Sequence, residues 1–104
     1  MEPPIQLSVS DWQETRRVLS QELPNVEVWA FGSRARRTAK PYSDLDLAIV
    51  HAQPMSLAAM ASLQHAFESS DMTIRVDIVD WASAGDTFRK IIAQDKIIVQ
   101  ALQA

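Results

Sequence analysis

Two aspartates one residue apart, Asp44-Leu45-Asp46, stand at the head of the apolar run that ends at Val50, and a third, Asp77, stands between Val76 and Ile78. Side chains on a strand alternate, so Asp44 and Asp46 project to one face with Cα atoms about 6 to 7 Å apart. Paired carboxylates repel, and at the start of an interior strand they also lose water. A divalent cation would supply the missing positive charge, and an oxygen-only donor set suits Mg²⁺ or Mn²⁺ rather than zinc. The plainer alternative is that Asp44 caps a turn and Asp46 faces solvent. Asp77 weighs against it, because three carboxylates can converge if its strand neighbours the one holding Asp46. Asp80 has the opposite parity from Asp77 and reads as a strand-end or turn residue.

The complementary chemistry is separated from Asp44 by ten residues. Gly32, one of two glycines in the chain, ends an apolar run and is followed by Ser33. A glycine there permits a tight turn with close backbone approach, and Ser33 is a candidate N-cap for a following helix. Free amides at such a helix start, with a serine hydroxyl, suit phosphate oxygens. Four of the ten basic residues, Arg34, Arg36, Arg37 and Lys40, crowd the same connection although the net charge is −3. Arg34 and Arg36 are placed to reach phosphates. By itself each feature is bland, since Gly-Ser is a common turn and a basic run is usually a solvated face.

Positioning these residues requires strands with helices between them. Ser10-Asp11-Trp12-Gln13 reads as a capping box opening a helix to about Glu22 that buries Trp12, Thr15, Val18 and Leu19, with Pro24 as its stop. Val26 to Phe31 and Leu45 to Val50 read as strands, the second apolar enough for burial on both faces. Met55 to Ser69 has helical spacing, with Met60, Leu63 and Phe67 on one stripe and Pro54 at the entrance. Thr73 to Val79 alternates Ile74, Val76 and Ile78 against Arg75 and Asp77. Asp86 or Ser83 would cap a last helix through Gln94 that buries Phe88, Ile91 and Ile92, and Ile97 to Val99 reads as a terminal edge strand. The expected fold class is α/β, a small mixed β-sheet flanked by helices in one domain over residues 1–104.

Composition narrows the rest. With 47% hydrophobic and 22% charged residues, the chain is an ordinary globular domain. It lacks cysteine, an apolar run of membrane-spanning length and a signal-like start, so no membrane and a cytoplasmic location are expected. The acidic balance speaks against nucleic acid as a partner. His51 reads as a polar strand end and His65 as surface; Trp12, Trp29 and Trp81 read as core or interface. Arg75 shares the face of Asp77 and either pairs with it or touches substrate, the pairing being favoured.

In combination, Gly32-Ser33, then Asp44-Leu45-Asp46 heading an apolar strand, then Asp77 in a later strand, resembles the nucleotidyltransferases of the DNA polymerase β superfamily. "GSRAR…SDLDL" is most similar to the minimal nucleotidyltransferases, small antitoxin partners of HEPN-domain toxins. The resemblance runs from the Val26 strand to the closing "KIIVQ", and it departs at Arg37, where family members often carry glycine. It implies two divalent ions held by Asp44, Asp46 and Asp77, with Asp77 nearest the acceptor hydroxyl. It implies Gly32 and Ser33 at the β- and γ-phosphates of ATP, with Arg36 a candidate to neutralise them. The implied activity is transfer of AMP to a hydroxyl, by resemblance a tyrosine, of a cognate HEPN ribonuclease toxin within a hetero-oligomer. Two other readings stay open: an antitoxin that neutralises by docking alone, and a transferase acting on RNA or a small molecule.

Overall fold

The computed structural model describes residues 2–102. Helix α1 spans Val9–Glu22 and is capped by Ser8, whose hydroxyl accepts from the Asp11 amide at 3.1 Å. The cap is therefore two residues earlier than the Ser10 capping box expected from the sequence. The Asp11 carboxylate is used elsewhere, accepting from both the amide and the hydroxyl of Thr73. This ties the start of α1 to the segment entering the third strand. Trp12, Thr15, Val18 and Leu19 form the buried stripe, as expected. The helix ends where the Leu23 amide donates to the Leu19 carbonyl; Pro24 follows, and Asn25 turns the chain at φ 62°.

Four strands follow in the order their sequence patterns predict: β1 (Glu27–Phe31), β2 (Leu45–Val50), β3 (Val76–Asp80) and β4 (Ile97–Gln100). The sheet order is β3-β2-β1-β4, with β2 antiparallel to β1, parallel to β3, and β4 antiparallel to β1 at the edge. A mixed sheet with a terminal edge strand is what the sequence implies. The third strand begins three residues later than Thr73, because that residue is occupied by Asp11.

Alternation sorts the sheet into two faces. Val28, Ala30, Leu45, Leu47, Ile49 and Val76 pack with Val18 and Leu19 of α1 and with Leu63 and Phe67 of α3 (Leu57–Glu68, capped by Ser56). The opposite face carries Trp29, Phe31 and Ala48 under Ile92 of α4 (Asp86–Asp95), with Trp81 from a short 3₁₀ turn (Trp81–Ser83) between β3 and α4. That second layer is thinner. Of the residues expected to be buried by the last helix, only Ile92 is; Phe88 is 38% exposed and Ile91 49%. Gly85, rather than Asp86 or Ser83, takes the N-cap position of α4. A single helix cannot cover four strands, so part of the sheet face beside β2 and β3 stays open. Asp80 ends β3 as anticipated, one carboxylate oxygen accepting from the Met55 amide and the Ser83 hydroxyl. Among the described residues, no helix is long and apolar enough to cross a membrane.

Candidate active site

The open part of the thin face is where the aspartates meet. In the parallel pairing of β2 and β3, Asp46 lies directly opposite Asp77, so both carboxylates share one face. Asp44 immediately precedes β2 and has the same parity. The three interact electrostatically. Burial, then Asp77 and Asp44, push the Asp46 carboxyl up from 3.8 to about 6, while Arg36 pulls it down. Sequence parity anticipated this convergence without showing that the β2–β3 register would put the two residues face to face.

Gly32 closes the site from the other side. Phe31, at the end of β1, pairs with Asp46, and Gly32 follows at φ 75° in the region that excludes most side chains. A Cβ at this position would collide with the Asp46 carboxylate. Glycine is thus required twice over, for its dihedral and for its missing side chain. It is also the N-cap of the one-turn helix α2 (Ser33–Arg36), correcting the expectation that Ser33 caps it. Ser33 is the first helical residue, beside amides that the helix itself leaves unused.

The basic cluster divides into unlike parts. Arg34 is only 6% exposed. Its guanidinium donates to the carbonyls of Ser43, Gln6, Lys40 and Pro41 at 3.0, 2.8, 3.4 and 3.3 Å. The expectation that Arg34 reaches phosphates is overturned: it staples the α2–β2 loop to the N-terminal lead-in. Arg36 is half-exposed and donates through Nη1 to Oδ2 of Asp95, at the end of α4, at 2.6 Å. Arg75 pairs loosely with Asp77 at 3.5 Å between exposed side chains, the pairing favoured from sequence. His51 and His65 are exposed, as expected, and Trp12 and Trp29 are buried.

Arg37 explains where the resemblance departs. It is the C-cap of α2 with φ 62° and ψ 38°, a left-handed conformation that glycine adopts without the Cβ penalty. Its side chain donates to the Pro3 carbonyl at 3.2 Å, a partial offset. Replacing Arg37 with glycine should therefore leave stability unchanged or raise it by up to about 1 kcal/mol, read as the midpoint of urea unfolding. A loss of 2 kcal/mol or more would mean that the Pro3 contact, not the backbone, governs this position.

Carboxylate oxygens are the right donors for Mg²⁺ or Mn²⁺, and Asp46, pushed toward protonation by burial first and then by Asp77 and Asp44, is a group whose ionised form a nearby cation would stabilise. Among the described residues, no group of three or more His, Cys, Asp or Glu is gathered closely enough to hold a metal ion by itself. Mg²⁺ does not need one, since it is commonly held by one or two carboxylates together with substrate phosphates and water. Two grooves of about 490 and 480 Å³ lie elsewhere, one around Arg16 and Gln100, the other around Gln64 and Arg75, and neither is lined by Asp44, Asp46 or Asp77. Within the trio, the Asp77 side chain is 51% exposed.

Comparison with known proteins agrees with this architecture. Residues 13–103 match the model of the polymerase beta nucleotidyltransferase family. The chain is 45% identical over 85 residues to the probable protein adenylyltransferase MntA of Haemophilus influenzae, covering 82% of this chain and 75% of that protein. A chain of a toxin–antitoxin crystal structure with AMP-PNP superposes with a TM-score of 0.74 at 22% identity, covering 88% of this chain and 74% of that one. A complex of a tri-AMPylated Shewanella oneidensis HEPN toxin with its MNT antitoxin gives 0.68 at 19% identity, covering 88% and 71%. These two share the fold.

Proposed function

Because the chain belongs to the polymerase β nucleotidyltransferase family, in its minimal MntA-like branch, we propose that it is an antitoxin that transfers AMP from ATP to a hydroxyl of a HEPN ribonuclease toxin. The observation that carries the reading is the register pairing of Asp46 with Asp77 beside the Gly32–Ser33 turn. Carboxylates at one face and free amides at its rim match a substrate that is itself half metal-binding and half anionic, a nucleoside triphosphate.

Asp44 and Asp46 would hold Mg²⁺ or Mn²⁺, and Asp77 would share the ion nearest the acceptor. When bound, two such ions supply positive charge to the triphosphate and lower the pKa of a coordinated hydroxyl. Gly32 lets the backbone approach the β- and γ-phosphates, where the Ser33 hydroxyl and the first amides of α2 donate. Arg36 would neutralise the charge of the bound β- and γ-phosphates. The acceptor oxygen forms a bond to the α-phosphorus as the bond from that phosphorus to the bridging oxygen breaks. Pyrophosphate carries that electron pair away, and Asp77 would assist in taking the hydroxyl proton, directly or through water. A tyrosine hydroxyl is the acceptor proposed here, since its phenolic proton is the most acidic among side-chain alcohols.

The openness of the site supports a macromolecular acceptor. Phe88 lies edge-on to Phe31 with ring centroids 5.8 Å apart, next to the strand position paired with Asp46, and remains partly exposed. A small-molecule transferase would need walls to hold its acceptor, whereas a partner protein brings its own. The test is to incubate the chain with the toxin, ATP and Mg²⁺, remove the chain, and measure toxin mass and ribonuclease activity. Added mass in AMP units with lasting inactivity is expected, because a phosphodiester survives dilution. Unchanged mass with full recovery of activity would make this a docking antitoxin instead.

A further inference from the structure

We infer that Asp95, the last residue of α4, is a positioning residue that aims the Arg36 guanidinium at the nucleotide phosphates, an inference that rests on the triphosphate reading above. The two residues are 59 apart in sequence and meet at 2.6 Å, Nη1 to Oδ2. Asp95 is unfavourably placed for its own helix. Carbonyl dipoles at a helix C-terminus disfavour negative charge, and cations are the usual choice there. The neighbouring cation does not relieve it, since the Lys96 ammonium lies over the Trp29 ring, 4.1 Å from its centroid. The Asp95 side chain is 14% exposed, against 50% for Arg36, so this acid is largely shielded from water, and among the described residues the Arg36 guanidinium is its one ion-pair partner.

That asymmetry fixes what Arg36 can do. Pulling the guanidinium away would leave a shielded carboxylate unpaired, which is costly. Arg36 therefore keeps Asp95 on Nη1 and has Nη2 and Nε for a second ligand, a division that a planar fork allows and an ammonium does not. The second ligand lies toward the site. Arg36 is one helical turn from Ser33 on α2, on the same side, and its charge is felt at Asp46. An untethered arginine would lose its rotamer freedom on meeting a phosphate. Held by Asp95, it has lost that freedom beforehand, and binding is tighter for it. The same contact joins α4, which carries Phe88, to the turn that carries Ser33.

The experiment is a double-mutant cycle on the full chain, reading the affinity for Mg·ATP by titration calorimetry and KM and kcat for AMP transfer. Asp95→Asn keeps shape and removes charge. It should weaken Mg·ATP binding about fivefold and raise KM for ATP similarly, with kcat nearly unchanged, and Arg36→Ala should weaken binding about tenfold or more. In the Arg36→Ala background, Asp95→Asn should add almost nothing. Asp95→Glu should recover part of the affinity, which a role confined to packing would not predict. Unchanged affinity in Asp95→Asn, tighter binding on release of Arg36, or an equal loss in both backgrounds would each overturn the inference. If instead Arg36→Ala binds Mg·ATP like the parent, the assignment of Arg36 to the phosphates fails and this inference falls with it.

Discussion

Replacing Asp44 and Asp46 together with asparagine should abolish AMP transfer, by at least about a thousandfold, while leaving the metal-free fold as stable as the parent or more so. The two effects have one origin. Asp46 is held in a half-buried place between Asp44 and Asp77, and its carboxyl is pushed from 3.8 to about 6. An acid whose folded pKa is raised is penalised when ionised. Below about pH 3.8 it is protonated in both states and there is no penalty. As pH rises through about 6 the full penalty develops, so this group makes the metal-free protein less stable at neutral pH. Two units would correspond to about 3 kcal/mol, but Asp46 is roughly half-exposed and screening brings the figure to about 1 kcal/mol. In a chelator, urea midpoints should fall between pH 4 and 7 for the parent, and this part of the slope should be missing in the double variant. With Mg·ATP added, the parent alone should gain stability. A double variant that transfers AMP at the parental rate would sink the assignment of these residues to the metals.

How much of this was legible in the sequence depends on the range of the interaction. Asp44, Asp46 and Asp77 could be found because strand parity is local, and parity alone puts each on a defined face. The order of α1, β1, β2, α3, β3, α4 and β4 followed from equally local periodicities. What local pattern could not supply was ownership of side chains by distant partners. Asp11 looked like part of a helix cap, yet it belongs to Thr73. Arg36 looked free for phosphates, yet Asp95 already holds it. Phe88 and Ile91 looked like core because α4 is amphipathic, but amphipathicity does not tell how much sheet a lone helix covers. Even the glycine usual in the family at position 37 had a signal in the residues, a left-handed C-cap, that becomes visible only with the backbone.

Arg34 is the sharpest of these cases, and replacing it should have the largest effect on the fold. Sequence reading groups it with its basic neighbours as a phosphate ligand. In the fold its four carbonyl partners lie on Gln6, Lys40, Pro41 and Ser43, and no carboxylate pairs with it among the described residues. Such a cation is stable only because every carbonyl dipole is aimed at it. The Arg34 carbonyl in turn accepts from the Gln6 amide at 2.8 Å, so one residue fixes both the lead-in and the loop. Ser43 immediately precedes Asp44, and the Nε bond to its carbonyl therefore sets where the first of the three carboxylates starts. Arg34→Ala leaves those carbonyls without a donor in a place with little water, and should cost about 3 kcal/mol in urea unfolding. Arg34→Lys keeps the charge but cannot span four acceptors from one nitrogen, and should still cost about 2 kcal/mol. In both variants, assayed where they remain folded, transfer should fall about ten- to a hundredfold as Asp44 loses its fixed approach. A phosphate ligand would behave otherwise: Arg34→Ala would raise KM for ATP with little change in unfolding, and that pattern would return this arginine to the nucleotide.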